Sequence, residues 1–287
     1  MKDNKGKVFL IIAILAIAAI IAYVCYGFIK GSKNPVATIE VSYVDGEGNE
    51  KTGTIKVELD KEAAPIAVAN FINLANNGFY DGLTFHRVIS DFMIQGGDPE
   101  GTGSGTVKLS KLDKSIVENS TEDHTYAIKG EFSANGVNNP LKFEKGVIAM
   151  ARGDYSTYGL YEESYNSASS QFFIVTAEDE NTLASLNGQY ASFGKVVEGY
   201  DIVEAIANIE VQESENGEKS TPVNAPVIKS IRVDTNGVKY KVPDTINYEE
   251  TQSKVQMYNN YYQQLMSSYN TSAEGESVDA EVVPTEE

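Results

Sequence analysis

Val8 to Ile29 is a run of 22 residues without a single charge, bracketed by Lys7 and Lys30. At a rise of ~1.5 Å per residue, a helix of that length reaches about 33 Å, enough for the ~30 Å hydrocarbon core of a bilayer. The run splits the chain into a segment suited to lipid and a much larger remainder that has to fold in water. Ala16-Ile17-Ala18 has the small-x-small form of a cleavage site, yet eleven uncharged residues follow it. A signal peptide's apolar region is usually only ~7–15 residues, so the reading is an uncleaved anchor. Composition then suggests four parts: a basic segment and anchor over 1–34, a globular domain over 35–238, a helix within 239–270, and an acidic tail over 271–287.

Charge gives the anchor a direction. Lys2, Lys5 and Lys7 precede the span and Lys30 and Lys33 follow it, a slight bias that keeps the short N-terminus in the cytoplasm and the bulk of the chain outside. The chain carries a formal net charge of −18, and without residues 1–34 it has 18 basic and 40 acidic side chains. Such a surface repels nucleic acid and anionic headgroups. The only cysteine, Cys25, lies inside the apolar run, so the remainder forms no disulfide. Ala22-Tyr23-Val24 places a bulky residue where a lipid-attachment signal prefers small ones, which argues against lipidation. A single-pass cell-membrane protein with a cysteine-free extracytoplasmic domain suits a Gram-positive bacterium.

The globular part reads as mainly β. Residues 37–44 and 54–60 alternate apolar and polar (Ile39, Val41, Tyr43; Ile55, Val57, Leu59) around a Gly-rich Asp45–Gly53 segment, the pattern of an antiparallel hairpin. The acidic run at Asp45–Glu50 lacks the twelve-residue ligand spacing of a calcium loop and reads as a solvated turn. Pro65 opens a helix with Val68, Phe71, Ile72 and Ala75 on one face, and Gly78 closes it. A second helix follows Gly199, with Ile202, Val203 and Ile206 as its stripe. The other apolar runs are short and broken by glycine. After Tyr240, Val255, Tyr258, Tyr262, Leu265 and Tyr269 form a narrow helical seam. The segment from Thr271 has six acidic side chains and no basic ones, and reads as disordered.

Residues 85–98, Phe-His-Arg-Val-Ile-Ser-Asp-Phe-Met-Ile-Gln-Gly-Gly-Asp, carry the chemistry. They place a permanent cation, Arg87, near Phe92, Met93 and the neutral amide of Gln95. Alternation puts Met93 and Gln95 on one face of a short strand that ends at Gly96-Gly97. No Ser-His-Asp set, metal-ligand cluster or phosphate loop accompanies them, so neither metal nor cofactor is expected. The pattern suits a site that holds something apolar and stabilises it electrostatically, without proton transfer.

These residues resemble the signature of the cyclophilin family of peptidyl-prolyl cis-trans isomerases. The likeness rests on Phe85-His86-Arg87, Phe92-Met93 and Gln95-Gly96-Gly97-Asp98. It is repeated in order by Gly146–Ala151, Ser170–Ile174, Leu186–Tyr190 and Phe193–Val196, so that it covers residues 36–236. It implies a closed eight-stranded antiparallel barrel capped by two helices. It also implies an isomerase that accelerates X-Pro rotation in unfolded or flexible polypeptides, here exported or cell-surface ones. By position in the motifs, Arg87 is the electrostatic catalyst and Gln95 its orienting partner. Phe92, Met93, Phe173, Leu186 and Tyr190 form the proline pocket, Gln171 binds the substrate backbone, and Ala151-Arg152 line its path.

Three positions depart from the family pattern. Arg152 replaces a common asparagine, Tyr190 stands where many relatives have histidine, and Ser185 occupies the place of the tryptophan of cyclosporin-sensitive relatives, so only weak cyclosporin binding is expected. His86 is expected to be a structural hydrogen-bonding residue rather than an acid or base, and His124 has no ligand partners nearby. The insertion Asp154–Asn166, with Tyr155, Tyr158, Tyr161 and Tyr165, is expected to emerge beside the substrate groove. There Glu162 and Glu163 would favour basic clients. The alternative function is a proline-peptide-binding chaperone or envelope scaffold with little catalysis.

Overall fold

The computed structural model describes residues 33–275 except Asn119, together with residues 12, 15–17 and 19–21; side chains are described as far as Ser268. The anticipated span 8–29 therefore lies mostly outside the described residues. Those of its residues that are described are helical and exposed, Leu15 and Ile20 among them. Among the described residues, no helix is long and apolar enough to cross a membrane.

Alternating sequence makes the first hairpin. β1 (Val36–Val44) and β2 (Glu50–Leu59) pair in unbroken antiparallel register, Ile39 opposite Ile55 and Ala37 opposite Val57. Asp45 closes the turn by accepting from the backbone N–H groups of Glu47 and Asn49 at 3.0 and 2.9 Å, the task of a turn carboxylate.

Six further strands complete one sheet: β3 (Phe85–Ile89), β4 (Met93–Gly96), β6 (Val147–Met150), β7 (Phe172–Val175), β8 (Ser192–Glu198) and β11 (Val227–Asp234). Short pairs β5 (Tyr126–Ala127) with β12 (Ile246–Asn247), and β9 (Val211–Glu213) with β10 (Lys219–Pro222), lie outside it. The order β11-β1-β2-β8-β6-β7-β4-β3 is antiparallel throughout.

The sheet curls, but it does not close. Its edges, β3 and β11, meet through a single bridge between Thr84 and Val227 and a few backbone bonds, Phe85 N–H to the Pro226 carbonyl at 2.9 Å among them. Pro226 has no N–H to return that bond, and β10 packs against β3. The closed barrel expected from the resemblance is thus an open half-barrel.

Two helices cover the sheet. α1 (Pro65–Asn76) starts on proline and has no local side-chain cap. Its first turn is satisfied from a distance by Glu131, which accepts from the N–H groups of Ile66 and Ala67 at 3.0 and 2.8 Å. α1 packs on β11 and β8, whereas the helix after Gly199 (Tyr200–Ala207) packs on β2, β3 and β4.

β6 and β7 are buried along their whole length because both of their faces are covered. Ile148, Met150, Phe172 and Ile174 enter the main core. Val147, Ala149, Phe173 and Val175 join Met93, Phe143 and Leu186 in a second, smaller cluster on the other face. That second face carries the site. The C-terminal helix begins at Tyr248, later than the 239–270 segment suggested, and runs to Gly275, so the first residues of the anticipated tail are helical.

Candidate active site

Strand register builds a row of side chains. Arg87 lies opposite Gln95 across β3 and β4, Gln95 opposite Phe173 across β4 and β7, and Phe173 opposite Ala149 across β7 and β6. Because facing residues in a ladder point to the same side, an apolar ring and a cation are fixed on one surface by the backbone alone. The tight β3–β4 turn puts Asp91 at φ 58° and brings Phe92 to the rim.

Nine of the ten expected site residues line one cavity of about 120 Å³: Arg87, Phe92, Met93, Gln95, Ala151, Arg152, Phe173, Leu186 and Tyr190. Its wall is rigid. Phe173 stacks on Phe143 with centroids 6.2 Å apart and planes 8° from parallel, and Tyr190 meets it edge-on at 5.5 Å. Gln171, the tenth, lines an adjoining groove of about 570 Å³ that shares Gln95, Ala151 and Arg152 with the cavity.

Arg87 is held on two sides. Its Nη1 donates to Gln95 Oε1 at 3.3 Å and sits 3.9 Å from the Met93 sulfur. The Gln95 amide donates to Gln171 Oε1 at 2.9 Å, and Gln171 donates to the Gly103 carbonyl at 3.1 Å. That last anchor is itself fixed, since Asp98 accepts from the N–H groups of Glu100, Thr102, Gly103 and Gly105. A side chain at Gly105 would run into the Asp98 carboxylate.

Sequence reasoning missed the other side. Glu218 accepts from Arg87 Nε at 2.7 Å and from Nη2 at 2.8 Å, a bidentate pair in which both side chains are about one-third exposed. The Arg87 guanidinium holds the Glu218 carboxyl below its ordinary range. Asn216-Gly217 signals the β9–β10 hairpin, but no local feature reveals that the hairpin lies against β3. Of the five guanidinium N–H groups, three are thus committed to Glu218 and Gln95, one on Nη1 rests on the Met93 sulfur, and one on Nη2 has no partner among the described residues.

The departures from the family pattern resolve differently. Arg152 uses three of its five donors: Nε donates to the Gln189 carbonyl at 3.0 Å, and Nη1 to the Gly153 carbonyl and Ser164 Oγ at 3.1 and 3.2 Å. Its guanidinium lies over Tyr190 at 4.8 Å and Tyr165 at 5.4 Å. Ser185 is exposed and donates to the Thr182 carbonyl at 2.7 Å.

His86 requires a correction: it is buried, but neither ring nitrogen has a hydrogen-bond partner among the described residues. Burial pushes its pKa down, so the ring is neutral near pH 7 and packs as an apolar group. Among the described residues no group of three or more His, Cys, Asp or Glu could hold a metal.

The tyrosine-rich insertion turns mostly toward the C-terminal helix. Tyr155 and Tyr248 share a hydroxyl–hydroxyl bond, Tyr158 packs on Tyr258 and Tyr262, and Glu163 pairs with Lys254 at 2.8 Å. That pairing removes Glu163 from the role of attracting basic clients. Of the four tyrosines, only Tyr155 lines the groove.

Residues 43–233 match the family model described as cyclophilin type peptidyl-prolyl cis-trans isomerase/CLD. The chain belongs to this family. It is 40% identical over 159 residues to peptidyl-prolyl cis-trans isomerase B of Bacillus subtilis, covering 55% of this chain and 87% of the relative. To a putative peptidyl-prolyl cis-trans isomerase of Staphylococcus aureus it is 34% identical over 206 residues, covering 63% and 87%. In three dimensions it resembles the cyclophilin-type isomerase of Cryptosporidium parvum, with a TM-score of 0.50 and 25% identity over 70% of this chain and 98% of that one. The cyclophilin fold therefore accounts for the sheet and its two covering helices, while the C-terminal helix lies beyond the matched residues.

Proposed function

We propose that this cyclophilin accelerates X-Pro rotation in exported or cell-surface polypeptides, with Arg87 as the group that stabilises the twisted amide. Rotation destroys amide resonance, which sets a barrier of ~18–20 kcal/mol. As the bond twists, the prolyl nitrogen regains its lone pair and becomes a hydrogen-bond acceptor. A guanidinium, charged at every relevant pH and planar, suits that acceptor.

The observation that carries the proposal is that Arg87 lines the apolar cavity and keeps one Nη2 N–H without a partner among the described residues. The cavity holds the pyrrolidine ring while the preceding carbonyl swings. A contact made better in the transition state than in the ground state supplies ~3–4 kcal/mol. Arg87→Ala is expected to lower kcat/KM by ~10²–10³ for that reason, and Arg87→Lys to be poor as well, since a point charge on a flexible stem does not copy the planar donor. Near-native turnover in both variants would end the assignment.

A second reading, a proline-peptide-binding chaperone with little catalysis, has one observation in its favour. Glu218 offsets the charge of Arg87. A protein that binds proline peptides without raising their isomerisation rate would fit that reading.

The 22-residue run before the domain supports an anchor that leaves the cyclophilin domain outside the cell. Loss of the domain from intact cells on protease shaving, with the protein resisting alkaline extraction, is the expected outcome. A protease-shielded or alkali-released protein would overturn it.

A further inference from the structure

The groove beside the proline cavity has a wall that the family match does not include. Tyr248, Gln252, Val255 and Gln256 line it from the C-terminal helix, opposite Gln171 and the Gly103–Thr106 loop. Their spacing puts all four on one helix face. The helix is tied in place by several independent contacts. Its Tyr248 N–H donates to the Thr125 carbonyl at 2.9 Å just after β12 pairs with β5, and Thr125 Oγ1 donates to Gln252 Oε1 at 3.3 Å. The same helix also carries Lys254, Tyr258 and Tyr262, which engage Glu163 and Tyr158 of the insertion. The insertion clasps the helix, and the helix faces the groove.

We propose that the C-terminal helix is the selectivity element of this cyclophilin, and that it admits client segments with neutral hydrogen-bonding side chains near the proline while disfavouring basic ones. This rests on the reading of the adjoining cavity as the proline site. Continuity carries the argument: Gln95, Ala151 and Arg152 line both spaces, so a chain leaving the proline cavity over Ala151 enters the groove. The groove, about 570 Å³ against about 120 Å³ for the cavity, has room for a long side chain and its neighbour.

The lining sets the chemistry. It is rich in amides and hydroxyls, it holds no carboxylate, and its one charged side chain is Arg152. Gln252 accepts from Thr125 through its oxygen and Gln256 donates to Asn260 through its nitrogen, so among the described residues the Gln252 amide nitrogen and the Gln256 amide oxygen remain to serve a polar side chain. A lysine or arginine in the groove would lose water beside Arg152 with no carboxylate to pair with. The net negative charge of the chain attracts basic clients at long range, but the groove itself does not reward them.

The test uses the full chain and peptides that share one X-Pro core, with Gly, Gln or Lys placed two residues before or two residues after the proline. Both kcat/KM and peptide Kd are measured, in native protein and in Gln252→Glu and Val255→Trp. Native protein is expected to prefer Gln over Lys at one of the two positions. Gln252→Glu, a surface change of similar size, should shift the Lys-to-Gln ratio about fivefold toward Lys, with the shift fading in high salt. Val255→Trp should fill the groove and erase the preference of Gln over Gly. Ratios equal to those of native protein in both variants would overturn the proposal. A shifted Kd ratio without any isomerisation would sustain the helix's role and defeat the isomerase reading instead, so the two fail separately.

Discussion

The proline cavity and the outer groove are neighbours that share three residues, yet they are built in opposite ways. The floor of the cavity is made by strands, which carry Arg87, Met93, Gln95 and Phe173, and loops and a short helix complete the rim. Met93 and Gln95, then Phe173, point to one face because side chains alternate along β4 and β7, and antiparallel register sets them beside Arg87. The groove is assembled from a glycine loop, an insertion and a helix that begins 77 residues beyond Gln171 in sequence. Strand-borne positions are stiff and suit a task that is the same for every client, the rotation of one bond. Loop- and helix-borne positions can differ between relatives without disturbing the sheet, which suits a task that differs with the client.

The sharpest way to break this contrast is to damage the cavity and ask whether all peptides suffer alike. Phe173 is buried between Phe143 and Tyr190. Phe173→Ala is expected to cost about 3–5 kcal/mol of stability, read by denaturant unfolding, and to lower kcat/KM for every peptide by the same factor. A loss that varies with flanking residues would blur the division of labour.

A smaller effect concerns cyclosporin. Ser185 is exposed and offers neither ring surface nor an indole N–H. Ser185→Trp is expected to strengthen inhibition by about tenfold, on the order of 1.4 kcal/mol. Tight inhibition of the native protein, unchanged by the substitution, would contradict this.

Smaller still is the clamp on Arg87. Glu218→Gln should lower kcat by about fivefold or less, the scale of a partly exposed ion pair, while KM moves little. The guanidinium would keep its charge but lose its fixed orientation. A rise in kcat would instead show that Glu218 restrains Arg87 and would favour the weakly catalytic reading.

What the sequence disclosed follows the same division. β1 and β2 are readable from Ile39, Val41, Ile55 and Val57 because period-two alternation is a local signal, and α1 from Pro65 and the Val68–Ala75 stripe for the same reason. That nine of the expected residues line one cavity follows from motifs whose anchors, Arg87, Met93, Gln95 and Phe173, sit on neighbouring strands. Glu218 was invisible because its importance depends on where a hairpin packs, 131 residues from its partner in sequence. Closure of the sheet was overestimated because it depends on the N–H that Pro226 lacks, a detail of pairing rather than of pattern. The tyrosines of the insertion were legible as a cluster, but the partner of Tyr155 and Tyr158, the C-terminal helix, is defined only in three dimensions.

The central claim is that a permanently charged arginine, held by Glu218 and Gln95, does the work with no titrating group. The direct test is the pH profile of kcat/KM for a proline peptide in native protein and in His86→Gln. A guanidinium is charged across this range as a class, and buried His86 is neutral near pH 7, its pKa pushed down by desolvation. Glu218 is held below its ordinary range by Arg87, so its contribution to stability and to the clamp is present above the ordinary glutamate value of ~4.3. That contribution is lost only as pH falls through the lowered value. The expected profile is flat from about pH 5.5 to 8.5 in both proteins, with any decline confined to more acidic conditions. A bell-shaped profile centred near neutrality, abolished in a folded His86→Gln protein, would contradict the account.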